Sequence, residues 1–393
     1  MISKSILIIA LSARPFVVAA KRAGYIVTAI DAFADKQTVE LADHTIVVDY
    51  DQYGFNASAL LAAIKTLDVS QYLGFVYGSG FDAQPEVLQQ IAQILPVIGN
   101  TLATVHAVKT ASSFFSALGQ LHIASPKVYD VLPTDWHTSS YLEKFAGGCG
   151  GTHISIANTQ AAAAANHYYQ QYIDGYSVSL LFVADGKEIV AIGFNEQWLS
   201  PTEVMPFRYG GAVGNIDLPQ ALQKSLTDAA QKLTCEFGLL GLNSLDAIVE
   251  NVVGKIGVQG DVAYVLEVNP RLSATFDLYE PDVNLLDLHV QVNLNQTSLS
   301  NLKLRQARLP AQPKAHAIVY AEFDADIPAA FDWPDWAVDT PQYTVQSNHI
   351  KAGEPICTVT AHAEHADAAK KLAQNRVNIL IKKLIDYRQK TSH

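Results

Sequence analysis

The segment 264–271 constrains the fold of this 393-residue chain more than any other stretch, because its sequence is Tyr-Val-Leu-Glu-Val-Asn-Pro-Arg. An apolar run of this kind predicts an extended strand, in which alternate side chains point to the same face. Glu267, Asn269 and Arg271 would then line one face with a carboxylate, an amide oxygen and a guanidinium. Such a face suits a hard cation that carries phosphate.

A second acidic residue lies on the preceding predicted strand, residues 240–249, where Asp246 is the one acid in an otherwise apolar run. The glycine-containing stretch 250–261 predicts a hairpin connection. If the two strands pair in register, Asp246 and Glu267 become cross-strand neighbours and repel each other unless a cation lies between them. The alternative is an ordinary half-buried strand with a solvated acid, although buried acids are uncommon unless they are paired or bind metal.

Composition and charge limit the classes of partner. The length favours two or three packed units, and 49% hydrophobic with 17% charged residues is typical of a globular protein. A net charge of -11 argues against nucleic acid as a partner. No segment is long enough to span a bilayer, which predicts no membrane partner. The three cysteines, Cys149, Cys235 and Cys357, have no disulfide or zinc spacing, and a cytoplasmic location is expected.

Strands and helices alternate over the first hundred residues, which predicts a parallel sheet with helices on its faces. The apolar run 6–11 is interpreted as the first buried strand and not as a secretion signal, because basic residues follow it closely. The turn at 10–15 lacks the glycines that a pyrophosphate requires, which argues against a dinucleotide-dependent oxidoreductase. The loop 77–82, Tyr-Gly-Ser-Gly-Phe-Asp, is either a ligand-binding edge of the sheet or a plain glycine turn.

A lysine and a glycine run predict an anion site. Residues 141–145 predict a short strand that carries Lys144 and leads into Gly-Gly-Cys-Gly-Gly-Thr at 147–152. Backbone N–H groups in such a run can surround an anion, with Lys144 as the counter-charge. The lysine precedes the glycines, so this is not a Walker loop, and a flexible surface loop is the alternative. A predicted helix at 104–118 carries Lys109 near its start.

In this order, the motifs resemble the ATP-grasp superfamily of ATP-dependent ligases. The match continues with Gln-Gln-Tyr-Ile-Asp-Gly at 170–175, Gly-Leu-Asn-Ser-Leu-Asp at 241–246 and Leu-Glu-Val-Asn-Pro-Arg at 266–271. The resemblance implies an α/β fold, α+β overall. Its expected parts are an N-terminal parallel α/β domain at 1–103, a small lid region at 104–178, a metal- and nucleotide-binding core at 179–300 and a C-terminal α+β subdomain at 301–393.

The resemblance also implies the site residues. It implies ligands for Mg²⁺ or Mn²⁺ at Asp246, Glu267 and Asn269, with the number of ions left open, and catalytic roles for Arg271 and Lys144. The ATP-binding residues that it implies are the two lysines, the loop glycines and the hinge: Lys109, Lys144, Gly147, Gly148, Gly150, Gly151, Gln170, Gln171, Tyr172 and Ile173. The family often has an acid where this chain has Gln170 or Gln171, which leaves the adenine contact open.

Four further residues are substrate-binding candidates. Arg14 or Arg208 could clamp a carboxylate, and Asp82 could hold an ammonium group, with Ser79 in the same loop. Each is equally well interpreted as an ordinary surface residue.

The reaction that the resemblance implies is activation of a small-molecule carboxylate by ATP as an acyl phosphate. Attack by an amine would then give an amide, ADP and phosphate. More narrowly, the chain is similar to the branch that includes ligases of one-carbon coenzyme biosynthesis, such as tyramine–glutamate ligation for methanofuran.

Two alternatives to an amide ligase stay open. They are an ATP-dependent carboxylase that uses bicarbonate and a non-catalytic ATP-binding module. The sequence leaves the acid, the amine and the oligomeric state undetermined, with a homodimer as the default expectation.

Overall fold

The structure is a computed structural model. It describes residues 4–391 apart from 135, 138–139, 159–161, 251–259, 280–283, 296, 298, 300–311, 330 and 343–346. Most of the predicted hairpin connection at 250–261 and the expected domain boundary at 300–301 therefore lie outside the described residues.

The N-terminal region is a four-stranded parallel sheet with helices on both faces, as predicted. All five residues of the first strand are buried, because helices cover both faces of the sheet. The strand order is β3-β2-β1-β6. The elements are β1 (Ser5–Ile9), α1 (Arg14–Arg22), β2 (Ile26–Asp31), α2 (Lys36–Leu41), β3 (His44–Val47), β4 (Tyr50–Asp51), β5 (Gly54–Phe55), α3 (Ala57–Lys65), β6 (Tyr72–Tyr77) and α4 (Pro85–Ala92).

Local sequence explains where several of these helices begin. Proline occupies the first turn of α1 and of α4, where its missing N–H has no intrahelical partner to lose. Asp35 caps α2 by accepting from the backbone N–H groups of Gln37 and Thr38, and Asn56 caps α3 in the same way.

The predicted helix 104–118 is in fact two helices, α5 (Leu102–Lys109) and α6 (Ala111–Gln120). Thr110, a β-branched residue, leaves the helical conformation with ψ 108° and separates them. Lys109 is therefore the last residue of α5 and does not lie near the start of a helix. This position lets its side chain leave the helix end toward the acidic residues described below.

A small antiparallel sheet forms the lid, with strand order β7-β10-β8-β9. Its strands are β7 (Val128–Tyr129), β8 (Tyr141–Phe145), β9 (Ile154–Ile156) and β10 (His167–Gln171). Tyr169 is fully buried in a separate small core on one face of this sheet. The opposite face carries Lys144 and Gln170.

An eight-stranded antiparallel sheet forms the rest of the molecule, with strand order β15-β14-β11-β12-β13-β16-β20-β18. Helix α7 packs on one face through Leu222 and Leu226, and α8 and the N-terminal sheet pack on the other face. The core elements are β11 (Tyr176–Asp185), β12 (Ile189–Leu199), β13 (Tyr209–Gly214), α7 (Gln220–Phe237), β14 (Leu240–Glu250), β15 (Val262–Asn269) and α8 (Leu285–Asn293).

The C-terminal residues continue this sheet, because β13 pairs with β16. The elements are β16 (Lys314–Tyr320), β17 (Ala325–Pro328), β18 (Ala337–Val338), β19 (Ser347–Ile350), β20 (Pro355–His362) and α9 (Ala366–Thr391). The expected fold class, an N-terminal parallel domain followed by a lid and antiparallel α+β parts, is confirmed. Within the described ranges, no helix has the length and apolar content needed to cross a bilayer.

Candidate active site

Two neighbouring strands of the large sheet bring the acids together, as predicted. Asp246 on β14 lies directly opposite Glu267 on β15, and Ser244 lies opposite Asn269. The register shifts just beyond Asp246, where Ala247 pairs with Val265, so that Leu266 is the extra residue of a β-bulge. Bulges re-aim side chains and are frequent beside active sites.

The oxygen atoms of this acid pair are held by neutral and cationic partners. Asn269 Nδ2 donates to Asp246 Oδ2 at 2.9 Å, and Gln197 Nε2 donates to Asp246 Oδ1 at 3.3 Å. Glu267 Oε2 accepts from Lys109 Nζ at 3.1 Å. Burial and the charge of Glu267 raise the pKa of Asp246 to about 7. The pair therefore has too little positive charge around it to keep Asp246 fully ionised at neutral pH.

These donors fit a magnesium ion that is shared with phosphate. In the part of the chain that the structure describes, no three Asp, Glu, His or Cys side chains gather as a ready-made metal cluster. Asp246 and Glu267 supply two carboxylates and Asn269 an amide oxygen. Mg²⁺ is usually held by one or two carboxylates together with waters and substrate phosphates and not by an all-protein cage. The Glu267 side chain is 40% exposed, so it reaches the open side of the site.

Lys109, Asp82 and Arg271 connect the acid pair to the N-terminal domain. Lys109 Nζ lies 2.9 Å from Asn269 Oδ1 and 3.4 Å from Asp82 Oδ1. Arg271 Nε donates to Asp82 Oδ2 at 2.7 Å. Burial lowers the pKa of Lys109, but the charges of Glu267 and Asp82 more than compensate, so the pKa is raised. Asp82, a substrate candidate from the sequence, thus contacts two predicted site cations.

Lys144 has a buried ammonium group, and the residue is 7% exposed. Among the described residues, no ion pair or side-chain hydrogen bond of this ammonium is found. Burial lowers its pKa to about 8, although the nearby charges of Glu267 and Asp246 act in the opposite direction. A buried unpaired charge is unfavourable and calls for an anionic ligand.

The glycine loop, residues 147–151, lies against Asp82 of the N-terminal domain and against Phe207, which precedes β13. Gly147 and Gly151 adopt positive φ angles of 79° and 72°. A Cβ atom on Gly147 would overlap the Asp82 carbonyl, and one on Gly151 would overlap the Phe207 carbonyl. The Tyr209 backbone N–H also donates to the Gly150 carbonyl at 2.9 Å. Only glycine allows the loop to approach the backbone of Asp82 and Phe207 this closely.

The predicted adenine hinge ends β10 and shares a face with Lys144. Cross-strand pairing places Gln170 opposite Leu142, and Tyr168 opposite Lys144. Gln170 is 1% exposed, and its Nε2 has no hydrogen-bond partner among the described residues. An unsatisfied buried amide beside the unpaired lysine fits a nucleotide base next to its phosphates.

The other three hinge residues follow along the chain. The Gln171 backbone N–H donates to the Lys127 carbonyl at 2.8 Å, and the Tyr172 N–H donates to Ser140 at 2.9 Å. Ile173 follows as a half-buried residue.

The other three substrate candidates, Arg14, Arg208 and Ser79, contact residues other than Asp246 and Glu267. Arg14 is buried and ion-paired with Asp277 at 2.9 Å and Asp339 at 2.5 Å, so two acids neutralise its charge. Arg208 donates to the Ser200 carbonyl and lies 3.7 Å above the Tyr320 ring. The Ser79 carbonyl accepts from the Leu11 N–H at 3.1 Å. Their roles in substrate binding stay predictions.

His153 is a site residue that the sequence analysis missed. Its ring packs against Gly148 of the glycine loop. Electrostatic interactions link it to Glu267, Lys144 and Lys109. The sequence carries only a weak signal for it, a histidine two residues after the glycine run.

The chain is similar to known proteins in sequence and in fold. A family described as "ATP-grasp domain" matches residues 112–275. The tyramine–L-glutamate ligases of Methanocaldococcus fervens and Methanocaldococcus jannaschii are 24% and 23% identical over 214 and 209 residues. These matches cover 54% and 53% of this chain but only 62% and 54% of the two relatives.

Solved structures share the fold. An L-amino acid ligase from Bacillus licheniformis superposes with a TM-score of 0.70 at 13% identity, covering 95% of this chain and 97% of that one. A biotin carboxylase from Campylobacter jejuni gives 0.69 at 14% identity, covering 93% and 89%. At these identities the likeness shows the fold alone.

Proposed function

Because this chain is an ATP-grasp domain protein, we propose that it is an ATP-dependent ligase that joins a small-molecule carboxylate to an amine. The observation that carries the proposal is the buried Lys144, which has no ion-pair partner among the described residues and interacts electrostatically with Glu267 and Asp246. A cationic group beside two carboxylates, under a glycine loop, suits a metal-bound polyphosphate.

Each residue has a simple physical task in this proposal. Lys144 and the backbone N–H groups of residues 147–151 bind the phosphates, and Gln170 contacts the base. Asp246, Glu267 and Asn269 would hold Mg²⁺, which would supply positive charge to the phosphate oxygens. Lys109, which contacts Glu267 and Asn269, moves toward the phosphates when ATP arrives. Lys109 would then give up its place beside the carboxylates to Mg²⁺, so that positive and negative charges in the site stay close to balanced.

Arg271 completes the site on the acceptor side. Its guanidinium is held by Asp82 at 2.7 Å and approaches Asn269 Oδ1 at 3.4 Å, so that it is fixed beside the proposed metal ligands. From there it can neutralise the carboxylate that attacks the γ-phosphate, or the phosphoryl group in transit. The product of this step is an acyl phosphate with ADP. Closure of the glycine loop excludes water, which would otherwise hydrolyse the acyl phosphate.

The finer proposal concerns the substrates. The curated relatives are named for joining tyramine to L-glutamate, and we propose a pair of the same kind, an amino-acid carboxylate and a primary amine. If this chain also joined tyramine to L-glutamate, we would propose a role in coenzyme biosynthesis.

The test is ADP release with Mg-ATP, L-glutamate and hydroxylamine, which traps an acyl phosphate as a hydroxamate, followed by mass spectrometry of products with tyramine. A panel of other amino acids replaces glutamate if it is inactive. Glu267→Gln should abolish turnover, and the matched surface variant Glu236→Gln should retain it. Acid-dependent hydroxamate supports the proposal. Bicarbonate-dependent ADP release without hydroxamate would instead indicate a carboxylase, and no ATP turnover with any acid would indicate a binding module.

A further inference from the structure

A half-buried histidine, His153, follows the glycine loop, and the proposed function gives it no task. His153 lies two residues beyond Gly151, immediately before β9 begins at Ile154, and β9 pairs with β8 so that Ile154 lies opposite Lys144. The His153 carbonyl accepts from the Phe145 N–H at 3.3 Å. A Cβ atom on Gly148 would overlap carbon atoms of the imidazole. The ring is therefore held in one place under the loop, close to the proposed phosphate lysine.

One nitrogen of this ring has no hydrogen-bond partner in the part of the chain that the structure describes. The imidazole forms a hydrogen bond with the Cys149 carbonyl, whereas Nδ1 is buried and has no hydrogen-bond partner within the described ranges. The nitrogen bonded to the carbonyl, Nε2, must carry the hydrogen, so that a neutral imidazole presents the Nδ1 lone pair. A buried acceptor without a donor is unfavourable. A ligand that donates a hydrogen would satisfy it.

The surrounding charges keep the ring uncharged until a ligand binds. The charged groups that interact electrostatically with it are Glu267 on β15, Lys144 on β8 and Lys109 at the end of α5, and the Cys149 carbonyl is its hydrogen-bond partner. Burial lowers the pKa of His153 to about 4, and the two lysines together with burial outweigh Glu267. Phosphate bound between those lysines would raise the pKa back toward neutrality, where a base is most effective.

Amide formation needs a group that accepts a proton from the amine. A primary amine is an ammonium ion at neutral pH and must lose protons to become an amide nitrogen. Asp82 is ion-paired with Arg271, which stays in place when Lys109 moves, and Glu267 and Asp246 are the proposed metal ligands. In the described part of the site, the Nδ1 lone pair of His153 is the acceptor that none of these roles uses.

We propose that His153 Nδ1 is the general base of the ligation step, a proposal that depends on the ligase function proposed above. The amine nitrogen forms a bond to the acyl carbon, the bond from that carbon to the phosphate oxygen breaks, and phosphate leaves with the electron pair. Of the two protons that the ammonium nitrogen loses, one passes to Nδ1 and then to solvent. The other leaves on the departing hydrogen phosphate.

The test compares two nucleophiles in wild type and His153→Gln. Tyramine enters as an ammonium ion and needs the base, whereas hydroxylamine is uncharged at neutral pH and does not. With the variant, kcat for tyramine should fall by ~10²–10⁴-fold, a typical loss for a general base, while hydroxamate formation is retained. The kcat–pH profile with tyramine should also lose its acidic limb. His106→Gln, at an exposed position on α5, is the matched control and should change neither rate.

Three results would overturn this assignment. Equal losses with both nucleophiles would mean that His153 supports only the loop or ATP binding, and unchanged tyramine ligation would mean that it has no role. If His153→Gln does not fold, His153→Gly with added imidazole replaces it. Rescue of tyramine ligation alone supports the base, and failure of rescue refutes it. If wild type forms no hydroxamate with any acid, the ligase proposal itself has failed, which is distinct from a failure of the base alone.

Discussion

Replacing Lys144 by methionine should make the ligand-free protein more stable while it weakens ATP binding. The side chain is 7% exposed, and its pKa falls from an ordinary 10.5 to about 8. At 1.36 kcal/mol per pKa unit, this fall means that the charged form destabilises the folded state by ~3 kcal/mol near pH 7. Methionine keeps most of the volume and removes the charge. We therefore expect Lys144→Met to raise the free energy of unfolding by about 1–3 kcal/mol.

The sign of the pH dependence follows from the same pKa. Because the folded-state pKa of Lys144 is lower than its unfolded-state value, the unfolded chain binds more protons between about pH 8 and 10.5. Wild-type stability should gain in that window from this group, and the advantage of Lys144→Met should shrink there. Below pH 8 the advantage should be nearly constant.

The assay is urea denaturation of wild type, Lys144→Met and the exposed matched variant Lys127→Met, each with and without Mg-ATP. Saturating nucleotide should stabilise wild type and Lys127→Met but have little effect on Lys144→Met. The reasoning would be refuted if Lys144→Met were less stable than wild type without nucleotide. It would also be refuted if Mg-ATP stabilised this variant as strongly as wild type.

Three further changes test other parts of the molecule. Glu267→Gln should leave ATP binding by calorimetry largely intact but abolish ADP production, since one charge on the metal is lost; unchanged turnover would remove Glu267 from the metal site. Asp277→Asn should lower the free energy of unfolding, measured by urea denaturation, by ~3–5 kcal/mol, because it breaks a buried ion pair with Arg14. A loss below 1 kcal/mol would show that Asp339 alone is enough to neutralise Arg14. Gly151→Ala should lower kcat/KM for ATP by at least ~10-fold, because its Cβ overlaps the Phe207 carbonyl at a positive φ; near-normal kinetics would mean that the loop need not close there.

The residues that could be predicted from sequence are those fixed by local periodicity. The positions of the acids on β14 and β15 follow from the alternation of side chains along a strand and from the antiparallel pairing of consecutive strands, so that Asp246 lies opposite Glu267 as expected. The parallel N-terminal sheet likewise follows from alternating apolar strands and amphipathic helices.

The remaining features depend on contacts between residues distant in sequence. Asp82 could not be recognised as the partner of Arg271, which lies 189 residues further along the chain. Arg14 likewise pairs with Asp277, 263 residues away. The break at Thr110 ends α5 within a stretch whose propensity allows one continuous helix, and Lys109 at that end is ion-paired with Glu267, 158 residues away. His153 has no motif of its own, and only the fold brings it within electrostatic range of Glu267.

The most direct test of the metal and nucleotide site is a crystal structure with Mg²⁺ and a non-hydrolysable ATP analogue. We expect the ion at about 2.0–2.1 Å from carboxylate oxygens of both Asp246 and Glu267, with Lys144 on the phosphates under residues 147–151. A nucleotide bound elsewhere, or one bound here whose metal contacts neither carboxylate, would contradict the account.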